Sequence, residues 1–303
     1  MEKSILLKSL AIYAFFFIFS AVLAFVVQAL RPKSENRMNI WIRIVSWACI
    51  IPLFIFSAYF GKFTFLVLVG LLTYFGLKEY LRVIKIKPNC SFCRVAFGLS
   101  LLFLLSAFFA LKELFFSLPV AAVLIVLLVP VFTEKSQNSV YLSAGTLLGT
   151  LYVGWMFSFL VLVRNLPGGF GYIVFLGTMA AAEDNLAYAV GKIFGQGKKK
   201  LIPGISPNKT VVGSVGGVLG TVFVAWLFRF TVPGLDLGQC LFLGFLLGIT
   251  GQLGDLVKSA IKRDMGVKDM GTLIPGHGGV LDRFDSWIFS APFVYYYLKF
   301  FIR

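Results

Sequence analysis

Residues 241–286 read LFLGFLLGITGQLGDLVKSAIKRDMGVKDMGTLIPGHGGVLDRFDS. The opening third is apolar enough to sit in hydrocarbon; the remaining two thirds, from Gly254 onward, form the least apolar long stretch of the chain. Thirteen acidic residues occur in the whole protein, and five of them lie between Gly254 and Ser286: Asp255, Asp264, Asp269, Asp282 and Asp285. The only histidine, His277, is there too, with Lys258, Lys262, Arg263, Lys268 and Arg283. Ionised side chains are expensive in hydrocarbon, so a membrane protein keeps them where water or a charged ligand reaches. Acids and bases mixed at this density point to a site for a metal and a polyanion.

The spacing supports this. The apolar helix runs on through Gly254–Arg263, and at about 100° per residue Asp255, Ser259 and Lys262 share one face, with Lys258 close beside them. A loop rich in Gly and carrying Pro comes next, whose glycines let the backbone approach a ligand. Residues 281–289, LDRFDSWIF, then start another helix, and Asp282 and Asp285 share a face of its first turn. Two helix ends thus present carboxylates across a basic loop. Such oxygens suit Mg²⁺, which takes one or two carboxylates together with waters and phosphates.

Composition gives the fold class. The chain is 59% hydrophobic, 17% aromatic and only 14% charged, against about 25% charged in a soluble domain. The expectation is an all-α, polytopic integral membrane protein with about ten transmembrane helices and no soluble domain. A net charge of +15 does not signal nucleic-acid binding, because the basic residues are scattered through short loops rather than gathered in one domain. The lipid bilayer, its anionic headgroups and nucleotide phosphates are the natural partners. Cys49 and Cys240 lie in apolar runs as packed thiols. Cys90 and Cys93 form a lone C-x-x-C pair without the further ligands that a zinc site needs.

Apolar runs fall at about 11–30, 44–60, 63–75, 95–111, 115–132, 140–163, 171–194, 213–232, 237–252 and 287–301. The organisation expected is an extra N-terminal helix in residues 1–35, further transmembrane helices in 36–165 and a catalytic membrane region in 166–303. Loops 31–43, 78–94, 133–138, 192–209 and 258–283 carry twenty of the twenty-eight Lys and Arg residues. The positive-inside rule therefore turns the charged stretch towards the cytoplasm.

A second constellation sits in the seventh run, where Glu183 and Asp184 are adjacent acids inside an apolar helix. Intramembrane acids are candidates for function and face wet cavities. About twenty residues on, Ser206-Pro-Asn-Lys-Thr210 lies in a basic loop, and Ser206, Lys209 and Thr210 suit a phosphate at the start of the next helix. Lys198, Lys199 and Lys200 read as a solvated or lipid-facing patch.

These motifs resemble those of the phosphatidate cytidylyltransferases (CDP-diacylglycerol synthases). Ser259-Ala-Ile-Lys-Arg263, Lys268-Asp-Met-Gly271 and Ile274-Pro-Gly-His-Gly-Gly-Val-Leu-Asp-Arg-Phe-Asp285 follow that family's signature without departure. Asp184-Asn-Leu-Ala-Tyr188 and Ser206–Thr210 extend the likeness. The family's acid two residues after the Thr is here Val212, and Glu183 is expected to supply the missing carboxylate.

The resemblance implies that CTP and phosphatidate give CDP-diacylglycerol and pyrophosphate, at a membrane site facing the cytoplasm. It assigns Asp255, Lys262, Asp282, Arg283 and Asp285 to catalysis, and Asp184, Asp255 and Asp282 to Mg²⁺, with K⁺ as a second cation. Ser206, Lys209, Thr210, Ser259, Arg263, Lys268 and His277 would bind substrate, His277 either touching a phosphate or ordering the glycine loop. A homodimer is implied as well. A different class also remains open, a transporter with an acid-lined cavity, although no repeated halves are visible. A cytidylyltransferase of ether-lipid phosphates is the nearer alternative, since the motifs bind phosphates and not tails.

Overall fold

A computed structural model describes residues 1–30, 37–134, 137–195, 197–273 and 278–301. His277 and the rest of 274–277 lie outside the described residues, as do residues 31–36 at the expected first boundary.

Helices stand where the apolar runs predict them, because a backbone in hydrocarbon has to satisfy its own polar groups. They are α1 (Glu2–Leu30), α2 (Arg37–Phe60), α3 (Lys62–Val83), α4 (Ser91–Phe108) and α5 (Lys112–Phe132). Next, α6 (Ser139–Gly149), a π segment (Thr150–Trp155) and α7 (Met156–Asn165) form one continuous rod. The C-terminal part holds α8 (Gly169–Phe194), α9 (Val211–Phe228), α10 (Leu237–Asp264) and α11 (Leu281–Phe301). Among the described residues, six of these segments are long and apolar enough to cross a bilayer: α3, α4, α5, the rod Ser139–Asn165, α9 with its 3-10 extension to Thr231, and α10. The protein is an all-α, multi-pass membrane protein.

One detail differs from the sequence expectation. The basic loop after α8 is not plain coil. It folds into an antiparallel hairpin, β1 (Lys200–Ile202) with β2 (Ser206–Thr210), in which Lys200 faces Thr210 and Ile202 faces Ser206. The last helix begins at Leu281, where the sequence places it, with a polar first turn buried in protein.

Glycines set the spacing around the functional region. On α9, a Cβ at Gly213 would lie 2.7 Å from the Ala187 carbonyl oxygen and 2.9 Å from the Gly191 Cα, and one at Gly217 would lie 2.8 Å from the Ala187 Cβ. Such small-residue faces let membrane helices approach closely where no hydrophobic effect drives them together. Likewise, a Cβ at Gly244 of α10 would lie 2.4 Å from that of Ala225 on α9. The three helices α8, α9 and α10 are therefore locked side by side. Gly213→Ala should cost about 1–3 kcal/mol through overpacking against backbone atoms that cannot yield, read as a lower melting temperature in detergent.

Candidate active site

Four elements converge on one polar cluster. Lys258, in the second half of α10, is 7% exposed. Its ammonium pairs with Asp255 one turn earlier at 2.9 Å and with Asp285 of α11 at 2.6 Å, and donates to the Asp282 carbonyl oxygen at 3.3 Å. Lys209, from β2, closes the other side of Asp255 at 2.7 Å. Close helix approach makes this reach possible: a Cβ at Gly254 would lie 2.6 Å from the Asp285 carbonyl oxygen. Burial disfavours the Lys209 ammonium, yet the Asp255 carboxylate, helped by Glu183 and Asp184, outweighs this and raises its pKa above the ordinary lysine value.

Glu183 enters from α8 and is fully buried, 0% exposed. Neither of its oxygens has a hydrogen-bond partner among the described residues. It lies opposite Gly217 of α9 and Gly251 of α10. Val212 is five residues nearer the start of α9, so Glu183 sits about 7 Å deeper than the position whose carboxylate it was expected to replace. Beside it, Asp184 is exposed.

Asp282 has a different job from its neighbour in the motif. Its Oδ1 pairs with Lys262 at 3.0 Å, and its Oδ2 accepts from the Met270 and Gly279 N–H groups at 2.8 and 3.0 Å. In the free chain this carboxylate pins the two ends of the motif loop. Three donors of the chain itself reach its oxygens. Among the described residues, no three His, Cys, Asp or Glu side chains stand together as a ready ligand set. Among the described residues, the charges of Glu183, Asp184, Asp255 and Asp285 act on one another in the company of Lys209 and Lys258.

The remaining expected residues spread around this core. Thr210 caps α9, its hydroxyl accepting from the Gly213 N–H at 3.0 Å. Arg263 donates to the Ile205 carbonyl oxygen at 3.3 Å, tying the end of α10 to the hairpin. Ser206, Ser259 and Arg283 are half-buried, and Lys268 is exposed in the loop after α10. Ser214 and Gln252 join α9 to α10: the serine hydroxyl donates to Gln252 Oε1, and Gln252 Nε2 donates to the Ser214 carbonyl oxygen at 2.8 Å. Cys90 and Cys93 are free thiols; Cys90 Sγ accepts from the Cys93 N–H at the start of α4.

Two residues were given no role by the sequence reading. Lys258 carries a signal after the fact, its i,i+3 spacing from Asp255. Glu79, a lone acid near the end of α3, is buried and its oxygens accept from the Val280 and Leu281 N–H groups at 3.0 and 3.1 Å, so it caps α11 from 201 residues away. Its carboxylate fills the space where side chains at Gly271 and Gly279 would stand, 2.3 and 2.4 Å from their Cβ positions. Three residues on, Arg82 donates to the Met270 carbonyl oxygen at 3.2 Å.

Together the fold and the cluster give a multi-pass membrane protein with a charged centre that is basic towards the loops and acidic between the helices. A family model described as the cytidylyltransferase family matches residues 41–301. The phosphatidate cytidylyltransferase of Bacillus subtilis (strain 168) is 36% identical over 267 residues, covering 86% of this chain and 97% of that protein. That of Synechocystis sp. (strain ATCC 27184 / PCC 6803 / Kazusa) is 35% identical over 289 residues, covering 84% and 95%. The uncharacterized protein YnbB of Escherichia coli (strain K12) is 30% identical over 305 residues, covering 97% and 98%. The chain belongs to this family of phosphatidate cytidylyltransferases, and with it to the nucleotidyltransferases.

Hydrogen bonds to a charged group contribute roughly 1.5–3 kcal/mol each. Glu79→Ala should therefore cost about 3 kcal/mol by removing two of them. It should also speed tryptic cleavage after Lys268, measured on the folded protein in detergent.

Proposed function

We infer that the chain transfers a cytidylyl group from CTP to phosphatidate, giving CDP-diacylglycerol and pyrophosphate. The observation that carries this reading is the buried Asp255–Lys258–Asp285 ion chain, extended to Lys209, in a chain of this family. An oxygen of the lipid phosphate forms a bond to the α-phosphorus of CTP. The bond from that phosphorus to its bridging oxygen breaks, and pyrophosphate leaves with the electron pair. The nucleophile is already anionic, so no strong general base is required. The difficulty is to bring two polyanions together and to neutralise the leaving group, which is done by positioning and electrostatics.

The protein's part comes from the placement of charge. Lys209, Lys262, Arg263, Lys268 and Arg283 hold phosphates of the two substrates, and Ser206, Thr210 and Ser259 donate hydrogen bonds. Lys258 holds Asp255 and Asp285 close together. Asp282 holds the motif loop in register with them. Mg²⁺, with K⁺ as a second cation, belongs with Asp255, Asp285, Asp184 and Glu183, and would supply charge stabilisation at the phosphoryl oxygens. In this reading all ten helical rods cross the cytoplasmic membrane, the basic loops face the cytoplasm, and the diacyl chains enter sideways from the bilayer. Two copies associate as a homodimer.

The test is pyrophosphate release by the purified chain in detergent. Release should require CTP, Mg²⁺ and phosphatidate together, and Asp255→Asn should lower kcat/KM about 100-fold, or about 2.7 kcal/mol. A wild-type protein silent with phosphatidate but active with an ether-lipid phosphate would move the substrate and keep the chemistry; silence with both would sink the reading. Glu183→Gln should lower kcat at least about tenfold, on the order of 1.4 kcal/mol. Full activity in that variant would show that Glu183 does not stand in for the acid missing at Val212.

A further inference from the structure

The rod Ser139–Asn165 changes from α to π geometry over Thr150–Trp155. A π turn fits in one extra residue at the expense of regular bonding, and it recurs at functional sites. Packing on two sides holds this one. A Cβ at Gly149 would lie 2.4 Å from the Tyr80 ring of α3, and one at Gly154 would lie 2.4 Å from the Ser100 hydroxyl of α4. A further side meets the start of α11. Val153 and Leu281 converge on Gly76, and Phe157 packs against Phe284 with ring centroids 6.0 Å apart.

Tyr152 is carried on this segment. It is 6% exposed, and its hydroxyl has no hydrogen-bond partner among the described residues. The carboxylates whose charge acts on it are Asp285 and Asp255, and the other ionisable neighbour acting on it is the Tyr80 phenol. Its depth agrees. Tyr141, at the start of the rod, donates to the Ile84 carbonyl oxygen at 2.9 Å and lies 4.0 Å from the sulfur of Met265, just past the end of α10. Counting from there, Tyr152 is eleven residues further along its rod and Asp255 ten residues back along α10, so both lie about 15 Å deeper. The phenol therefore stands level with the acid cluster, on the wall contributed by the N-terminal half.

Buried hydroxyls almost always have a partner, and this one lies beside carboxylates that already pair with Lys258. We propose that Tyr152 is a substrate-binding residue whose hydroxyl donates to a phosphate oxygen at the membrane-deep end of the site. Hydrogen bonds from O–H to an anionic oxygen are short and strong, and the substrate brings the acceptor that the free protein lacks. The inference rests on the reaction inferred above. Lys209 and Arg263 line the hairpin side of the site and suit the nucleotide, so the deep donor falls to the phosphate of the lipid.

The experiment compares the full chain with Tyr152→Phe, which keeps the ring and removes only the O–H. Expected is a rise of about tenfold in KM for phosphatidate, the worth of one hydrogen bond to a charged group, with KM for CTP and the melting temperature little changed. A purely structural hydroxyl would leave both KM values alone. Binding is read separately. Phosphatidate should raise the melting temperature of the wild type more than diacylglycerol does, and the variant should lose that difference. A rise in KM for CTP instead would assign the same donor to a nucleotide phosphate. Unchanged affinity for both substrates overturns the proposal. If the wild type shows no CTP-dependent turnover, the reaction is refuted, and the melting comparison with phosphatidate, diacylglycerol and CTP still decides Tyr152.

Discussion

One buried ion chain governs the architecture of the C-terminal part. Charges taken out of water are tolerated only when they are paired with good geometry. Lys258 meets that condition for two carboxylates on two different helices, 2.9 Å from Asp255 and 2.6 Å from Asp285. The lysine can span them only because α10 and α11 touch at Gly254, where no side chain intervenes. Lys209 extends the chain of charge to the hairpin, so a segment in the aqueous loop is tethered to a helix inside the membrane. Glycine packing and electrostatics are thus one constraint here. The first sets the distance, and the second makes that distance necessary.

The loop between α10 and α11 is held by a second pair of carboxylates with another purpose. Asp282 gathers Met270 and Gly279, and Glu79 gathers Val280 and Leu281. Four backbone N–H groups at the neck of the loop and the start of α11 are satisfied in this way. A helix start buried in protein needs such partners, because its first N–H groups have none within the helix. The N-terminal half, which carries few charges of its own in the membrane, therefore serves the site through α3. Arg82 strengthens the same contact through Met270.

Glu183 and Val212 stand at different depths of the membrane region. The α9 position that lacks its acid, Val212, lies near the hairpin, whereas Glu183 lies deeper, against Gly217 and Gly251. Glu183 thus lies in the seam of α8, α9 and α10. The cluster there holds more acids than lysines.

Much was legible in the sequence because it is local. Apolar runs, proline and glycine breaks and the period of a helix act over a few residues, and they located the rods and the charged stretch. The likeness of the motifs at 184–188, 206–210 and 259–285 indicated the family. Partner choice was not legible. Asp282 and Asp285 sit three residues apart in one turn, yet one binds backbone N–H groups and Lys262 while the other binds Lys258. The carboxylates are chemically alike, and only the packing of α3, α10 and the motif loop decides which donors reach each. Glu79 acts across 201 residues and Tyr152 depends on a π turn, so neither leaves a short-range pattern. Helices and charge are properties of the chain. The assignment of each charge to its partner is a property of distances between helices, and those exist only once the helices have packed.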